Sequence, residues 1–269
     1  MSATLGRPAI RRIVITLEAS RPGRAALEAA VRLATALGAE LEGVFVEDIN
    51  LIRLSELPFL RQLRAWSLVE EQLSTQGMQR DLRALAHEAE RMFSEATQTL
   101  GAGCSFRVWR GHTTVETLTA SFEADVLSLA GARGSLVRSR PLLQTGPLAR
   151  AAQPEVVNVL FSASPAAERA LVAACNLARS MAAAVRVLIA GDTKVRGELA
   201  AQVDAILTLQ NQPADRVQLG EDGVPALVRA VRQAGDSTVL LADVAAPLLL
   251  QAGLSRCLEK LPCPVFFVR

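Results

Sequence analysis

The sequence predicts an α/β fold made of two tandem repeats, each a mainly parallel five-stranded sheet with helices on both faces in a Rossmann-like arrangement. The first supporting observation is an internal repeat of strand, polar turn, alanine-rich helix and strand, found near the start and again past the midpoint. The second is length, because 269 residues exceed the length of a chain that typically folds around a single hydrophobic core. We therefore expect a first domain over residues 1–152 and a second over 153–269.

The first repeat alternates strands and helices up to residue 130. Its predicted elements are strands over 12–17, 41–46, 105–109 and 125–130, and helices over 24–37, 69–100 and 114–123. Pro22 in the first helical turn and Gly38 after the last one are typical helix boundaries. Residues 50–63 are apolar around Pro58, which predicts a short helix, a break and a loop over the carboxyl edge of the sheet.

The second repeat follows the same plan. Its predicted elements are strands over 156–161, 184–190, 217–219, 237–242 and 265–268, and helices over 165–182 and 248–258. Ser162 and Ser164 are expected to cap the helix that begins at Pro165, and Asp243 to lie at a helix N-terminus. Only one strand-like run, 155–161, joins the repeats. The first domain therefore either lacks its own fifth strand or borrows one, which would fuse the halves tightly.

Composition narrows the function classes. A net charge of +2 argues against nucleic acid as a partner, and charged residues interrupt every apolar run before it reaches the roughly 20 residues that cross a membrane. We expect a cytoplasmic protein that contacts no membrane. The four cysteines have no metal-ligand spacing and predict free thiols, and no metal site is expected.

A ligand site is expected where parallel strands end and the strand order reverses. Three segments should meet there: residues 16–20, residues 46–48, and the loop that begins at Gly131. Glycines at a strand exit let backbone N–H groups approach an anion closely, although such glycines also occur for backbone reasons alone. The candidate ligand-binding residues in these segments are Thr16, Leu17, Glu18, Val46, Gly131, Arg133 and Gly134. The arginines of this loop are compatible with two roles: they add positive charge for an anionic ligand, or they are solvated surface side chains.

The chain resembles the universal stress protein family in its tandem two-domain form. The resemblance is carried by the start at 13–20, the helix sequence at 24–30, the strand at 44–48, the Gly131-x-x-Gly134 pair and the ending at 261–269. Nucleotide-binding members of this family carry G-x-x-G, nine residues, and then G-[S/T]. Here Gln144-Thr145 stands at the last position, so the third glycine is missing and the hydroxyl is kept.

The resemblance implies roles for the candidate residues. Glu18, at the family's aspartate position, would meet the adenosine, Val46 would offer backbone to the adenine, and the glycine loop with Thr145 would hold phosphates. ATP or another adenine nucleotide is the implied ligand, with Mg²⁺ only alongside the nucleotide. The second repeat has no glycine pair after its strand at 237–242, and its nucleotide motif is predicted to be lost.

Three functions remain open from the sequence. The first is a non-enzymatic stress-response regulator or sensor that binds an adenine nucleotide in the first domain, with at most very slow ATP hydrolysis. The second is a degenerate scaffold that binds a protein partner through residues 51–63 and no nucleotide, and a homodimer is compatible with either. The third is a small-molecule enzyme of a related fold. No nucleophile–base pair supports catalysis, and we predict no catalytic residue.

Overall fold

A computed structural model describes eight stretches of chain up to residue 129 and six from residue 155 onward. The described residues are 10–17, 21–55, 61–63, 70–72, 75–98, 100, 103–112, 122–129, 155–190, 193–220, 223–235, 238–253, 257–258 and 260–269. Below, the first half means the described residues up to 129 and the second half those from 155 onward. The predicted domain boundary at 152/153 lies outside the described residues. Residues 114–121 of the helix predicted over 114–123 also lie outside them, and its last two residues are described and are not helical.

The described residues form strands and helices in alternation. The strands are β1 (Arg12–Leu17), β2 (Glu40–Asp48), β3 (Arg61–Leu63), β4 (Glu70–Gln72), β5 (Cys104–Gly111), β6 (Val126–Leu129), β7 (Val156–Phe161), β8 (Ala184–Ile189), β9 (Ala214–Gln218), β10 (Thr238–Asp243) and β11 (Val265–Val268). The helices are α1 (Arg21–Leu37), α2 (Ile49–Ser55), α3 (Thr75–Thr97), α4 (Pro165–Met181), α5 (Thr193–Gln210), α6 (Val224–Gln233) and α7 (Pro247–Ala252). No helix of the described stretches is long and apolar enough to cross a lipid bilayer.

Nine of these strands form one sheet in the order β5-β2-β1-β6-β11-β10-β7-β8-β9. Neighbouring strands run parallel within each half, so the predicted α/β, mainly parallel, Rossmann-like fold class is confirmed. Strand β11 is parallel to β10 and antiparallel to β6. The last strand of the second half therefore occupies the position beside β6, and the first half borrows its fifth strand.

Two apolar clusters cover the two faces of the sheet. Successive side chains of a buried strand point to opposite faces, so both faces of the central strands are apolar. On one face α1, α3, α4 and α5 pack over Ile13, Ile15, Val157 and Val159. On the other, α6 and α7 pack over Leu160 and Leu240, and Phe122 packs over Val14 and Val44. Helices α1 and α4 also contact each other across the middle of the sheet.

The structure corrects several predicted boundaries. Helix α3 begins at Thr75 instead of residue 69, because residues 70–72 form β4, which pairs antiparallel with β3. The predicted loop at the end of 50–63 is therefore a strand over its last three residues. The second predicted helix of the second half, over 248–258, ends at Ala252, where Gly253 adopts a positive φ of 80°.

Candidate functional site

The carboxyl ends of β1, β2 and β6 lie at one edge of the sheet. Leu17, the last residue of β1, is in register with Phe45 of β2, and Thr16 is in register with Leu129, the last residue of β6. Strand β1 lies between β2 and β6, so the strands that follow β1 in sequence are added first on one side of it and then on the other. This is the topological switch point at which open α/β sheets bind ligands.

The sequence segments expected at this site start from those strand ends. Glu18 directly follows Leu17, and Gly131 is the second residue after Leu129. Six of the predicted ligand residues lie outside the described residues: Glu18, Gly131, Arg133, Gly134, Gln144 and Thr145. The described residues therefore place the ends of β1 and β6, from which the Glu18 segment and the Gly131 loop start, side by side.

Thr16 and Leu17 are described, and the side chains of both are buried. Thr16 is buried, and its hydroxyl donates a hydrogen bond of 3.4 Å to the carbonyl oxygen of Ser128. Leu17 is buried in the apolar cluster under α1. Only backbone groups of these two residues can serve a ligand at this edge.

Val46 lies beside a pair of aromatic side chains, those of Trp109 and Phe122. It is half-buried, is in register with Trp109 of β5, and packs against the same cluster as Phe122. The Trp109 and Phe122 rings meet edge to face with centroids 5.4 Å apart. The absence of a side chain at Gly111 leaves space for the Trp109 ring, since a Cβ on Gly111 would lie within 2.5 Å of Trp109 Cζ2. An apolar, aromatic surface at the end of β2 suits a planar base.

A buried carboxylate lies next to Val46 and was missed from the sequence. Glu47 is 8% exposed and accepts hydrogen bonds from Nε and Nη2 of Arg110 at 3.0 and 2.8 Å. The two residues are opposite each other in the β2–β5 register, which the sequence alone does not disclose. This pairing satisfies a charge that would be costly to bury alone.

A second buried carboxylate lies nearer the other edge of the same strands. Glu42 is bound by Nη2 of Arg12 at 2.8 Å and by Nε of Arg107 at 2.5 Å. The Arg107 guanidinium also lies 5.2 Å from the centroid of the Phe122 ring. One carboxylate thus holds two guanidiniums, one of them over an aromatic face.

The matching edge of the second half is filled by its own side chains. Asp243, the last residue of β10, is buried and accepts hydrogen bonds from the Ser164 hydroxyl at 2.5 Å and from the Ala245 N–H at 2.7 Å. Ser164 in turn accepts from the N–H of Ala167 at 3.0 Å and so caps α4, as predicted. A carboxylate therefore lies at the N-terminus of α4, where an anionic ligand would otherwise be favoured.

Two predictions for this edge are wrong. Ser162 does not cap α4, because its buried hydroxyl has no hydrogen-bond partner among the described residues. Asp243 belongs to the end of β10 and not to the N-terminus of α7, although this expected helix does begin nearby at Pro247.

The described residues do not form a metal-binding cluster. No three His, Cys, Asp or Glu side chains of the described stretches are placed to hold a metal ion. His87 is exposed on α3 and lies 3.6 Å from Glu90, as expected for a helix surface. Burial raises the pKa of the Cys175 thiol to about 11, although the charge of Arg179 lowers it, so this thiol is unreactive at neutral pH.

Comparison with solved structures reveals the fold's relatives. A universal stress protein from Archaeoglobus fulgidus DSM 4304 matches with a TM-score of 0.54 and 12% identity over 96% of each chain. A universal stress family protein from Burkholderia pseudomallei matches with a TM-score of 0.33 and 22% identity, over 41% of this chain and 92% of its own. A functionally unknown protein from Pseudomonas aeruginosa PAO1 gives a TM-score of 0.43 and 11% identity over 97% and 92%.

No protein-family model matches the sequence, and no curated protein matches it either. The structural likeness to the Archaeoglobus protein is the one with a TM-score above 0.5 among these three, and it extends over both halves of the chain. The chain therefore has the fold of the universal stress proteins, with the strands of both halves in one continuous sheet.

Proposed function

We propose that this chain is a cytoplasmic, non-enzymatic regulator of the universal stress type that senses an adenine nucleotide, ATP by preference, in its first half only. The observation that carries this proposal is the register of Thr16 with Leu129, which starts the Glu18 segment and the Gly131 loop from neighbouring strand ends. Ligands of open α/β sheets bind at this kind of edge.

The residue types of the described strand ends and of the sequence that follows them fit such a ligand. The half-buried Val46 and the Trp109 side chain offer an apolar surface for the base. Gly131 and Gly134 supply the backbone freedom that a phosphate-binding loop requires, and Arg133 and Thr145 supply charge and a hydroxyl. Bound ATP would bring its own triphosphate charge, with Mg²⁺ as counter-ion, and the chain would bind and orient it.

The restriction to one site follows from Asp243. Its carboxylate lies at the N-terminus of α4 and is held there by Ser164. A phosphate placed at this position would meet a like charge in a buried environment, which is costly. The second half consequently has a structural role, in which its strand β11 pairs with β6 of the first half.

A thermal-shift titration with ATP, with and without Mg²⁺, tests this function. We expect a saturable rise in the melting temperature, because a ligand that binds only the folded state stabilises it by mass action. The rise should be lost in Gly134→Trp, where an indole fills the space for the phosphates. Phosphate release over hours should stay near background.

Gly220→Trp is the matched control. Gly220 is an exposed glycine of the second half with no atom within 4 Å of the position of a Cβ, so the indole is accommodated in solvent. The ATP-dependent rise should persist in this variant. A flat titration of the wild type, or equal loss in both variants, would overturn the proposed nucleotide site.

The second candidate function is a scaffold that binds a protein partner through residues 51–63 and no nucleotide. It is favoured by the ribbon of β3 and β4, which pair with each other and with no strand of the nine-stranded sheet. A flat ATP titration combined with loss of self-association or partner binding in Leu57→Glu would favour this scaffold over the nucleotide sensor.

A further inference from the structure

An open cleft of 430 Å³ lies where the two halves meet, at the edge opposite to the proposed nucleotide site. It is lined by Arg12, Glu123, Ala124, Asp125, Arg169 and Arg269. Arg12 begins β1, and a six-residue strand is about 17 Å long, which separates the cleft from the carboxyl end of β1. Because β11 runs antiparallel to β6, the residues after its end reach the start of β6.

Arg269 is fixed in this cleft by the backbone of the first half. Its N–H donates to the carbonyl oxygen of Asp125 at 3.0 Å, and its Nη1 donates to the carbonyl oxygen of Phe122 at 2.8 Å. A guanidinium carries five N–H donors, so the bond from Nη1 orients the group and leaves other donors for a ligand. Both acceptors are neutral, and the positive charge of Arg269 is not cancelled by them.

Arg169 enters the cleft from the second turn of α4. It is half-exposed and makes no hydrogen bond or ion pair with any described residue. Arg12 adds a third guanidinium, whose Nη2 binds Glu42. The single negative charge of Glu42 is shared between Arg12 and Arg107. The group formed by Glu42, Arg12 and Arg107 therefore retains a net positive charge.

Among the described residues, the acidic side chains of the cleft form no ion pair with its arginines. The carboxylate of Asp125 accepts from the backbone N–H groups of Arg11 and Arg12 at 2.8 and 3.0 Å, and it forms no ion pair with a described guanidinium. Glu123 is exposed to solvent, where its charge is screened. The cleft thus presents donors from three separate elements toward one open volume.

We propose that this cleft binds a phosphate group, either free or carried by a small molecule, between Arg12, Arg169 and Arg269. Guanidiniums match the geometry of phosphate oxygens through paired N–H donors, and three of them from different elements can surround one tetrahedral anion. Arg12 comes from the first half and the other two from the second, so the bound anion bridges the halves across the junction of β6 and β11. This inference does not depend on the proposed nucleotide site.

Calorimetric titration of the full chain with inorganic phosphate at low ionic strength tests the proposal. We expect saturable binding that weakens about tenfold or more in Arg169→Gln, since a hydrogen bond to a charged group contributes about that much. Arg169 has no hydrogen-bond or ion-pair partner among the described residues, so Arg169→Gln removes no such described contact. Arg83→Gln, an exposed arginine on the surface of α3, is the matched control and should bind phosphate as the wild type does.

Two further arms separate this cleft from other sources of binding. Phosphate affinity should be unchanged in Gly134→Trp, whereas equal weakening there would place the phosphate in the nucleotide site and overturn the inference. Absence of binding, or equal affinity of Arg169→Gln and wild type, would also overturn it. Competition by glycerol 3-phosphate decides the source: tighter binding than inorganic phosphate identifies an ester as the ligand, and weaker binding identifies free phosphate.

Discussion

Leu127 of β6 lies opposite Phe267 of β11 in an antiparallel pair, whereas every other described pairing of the nine-stranded sheet is parallel. Both residues are buried, and β11 is bound on its other side by β10. One strand therefore completes both halves. Without it, β6 would expose an unpaired apolar edge, which is a template for aggregation.

The shared strand predicts that the chain unfolds as one cooperative unit. Scanning calorimetry should show a single transition, with equal calorimetric and van 't Hoff enthalpies. A chain of residues 1–152 expressed alone should aggregate, and co-expression with 153–269 should restore a soluble complex. Two separate transitions, or a stable monomer of 1–152, would contradict this expectation.

Sequence patterns were sufficient for the strands that are buried on both faces. The predicted limits of β1, β7 and β11 agree with the structure, because continuous apolar runs bounded by polar residues mark such strands. Helix α5 was not predicted, since its exposed Leu209 and its Gly197 obscure the apolar face. Strand β9 was found only in part, because an edge strand carries few apolar residues.

The side chains that shape the edges could not be predicted from local sequence. The Ser164–Asp243 bond joins residues that are 79 positions apart, and it depends on the pairing of β7 with β10. Glu47 and Arg110 meet only because β2 and β5 share a register that brings them opposite each other. The ladder of strand pairings decides such contacts, whereas the pattern of one segment decides only its own secondary structure.

Gly43 and Gly197 predict opposite responses to alanine. A Cβ on Gly43 in β2 would lie 2.6 Å from Cδ2 of Phe93, so the ring or α3 must shift. We expect Gly43→Ala to lower the free energy of unfolding by about 1–3 kcal/mol through overpacking. Gly197 is exposed on α5 with open space around it, and Gly197→Ala should raise stability by about 0.5–1 kcal/mol. Urea denaturation measures both, and equal effects would refute the packing argument.

Removal of the Asp243 carboxylate should destabilise the second half. Asp243→Ala leaves the Ser164 hydroxyl and the Ala245 N–H without their acceptor, and we expect a loss of about 1–3 kcal/mol in urea denaturation. Asp215→Ala is the control, because Asp215 is a 63% exposed partner of Arg186 and such pairs contribute about 1 kcal/mol or less. Similar losses in the two variants would contradict the assigned role of Asp243.

The buried thiols predict a loss of stability at alkaline pH. Burial raises the pKa of Cys175 from its ordinary value of 9.0 to about 11, against the opposing charge of Arg179, and burial also raises the pKa of Cys257. Above pH 9 the unfolded chain therefore releases these protons while the folded chain keeps them. The free energy of unfolding should fall as pH rises from 9 to 11, by less than about 1.4 kcal/mol per pH unit for each thiol.

This alkaline range is unusually informative because the chain has no tyrosine and only two lysines to titrate in it. Urea denaturation at pH 9, 10 and 11 should give a shallower pH slope for Cys175→Ala than for wild type, whatever the variant's starting stability. Cys104→Ala is the control, since Cys104 is exposed whereas Cys175 is buried. An unchanged slope in Cys175→Ala would mean that the Cys175 thiol ionises as freely in the fold as in the unfolded chain.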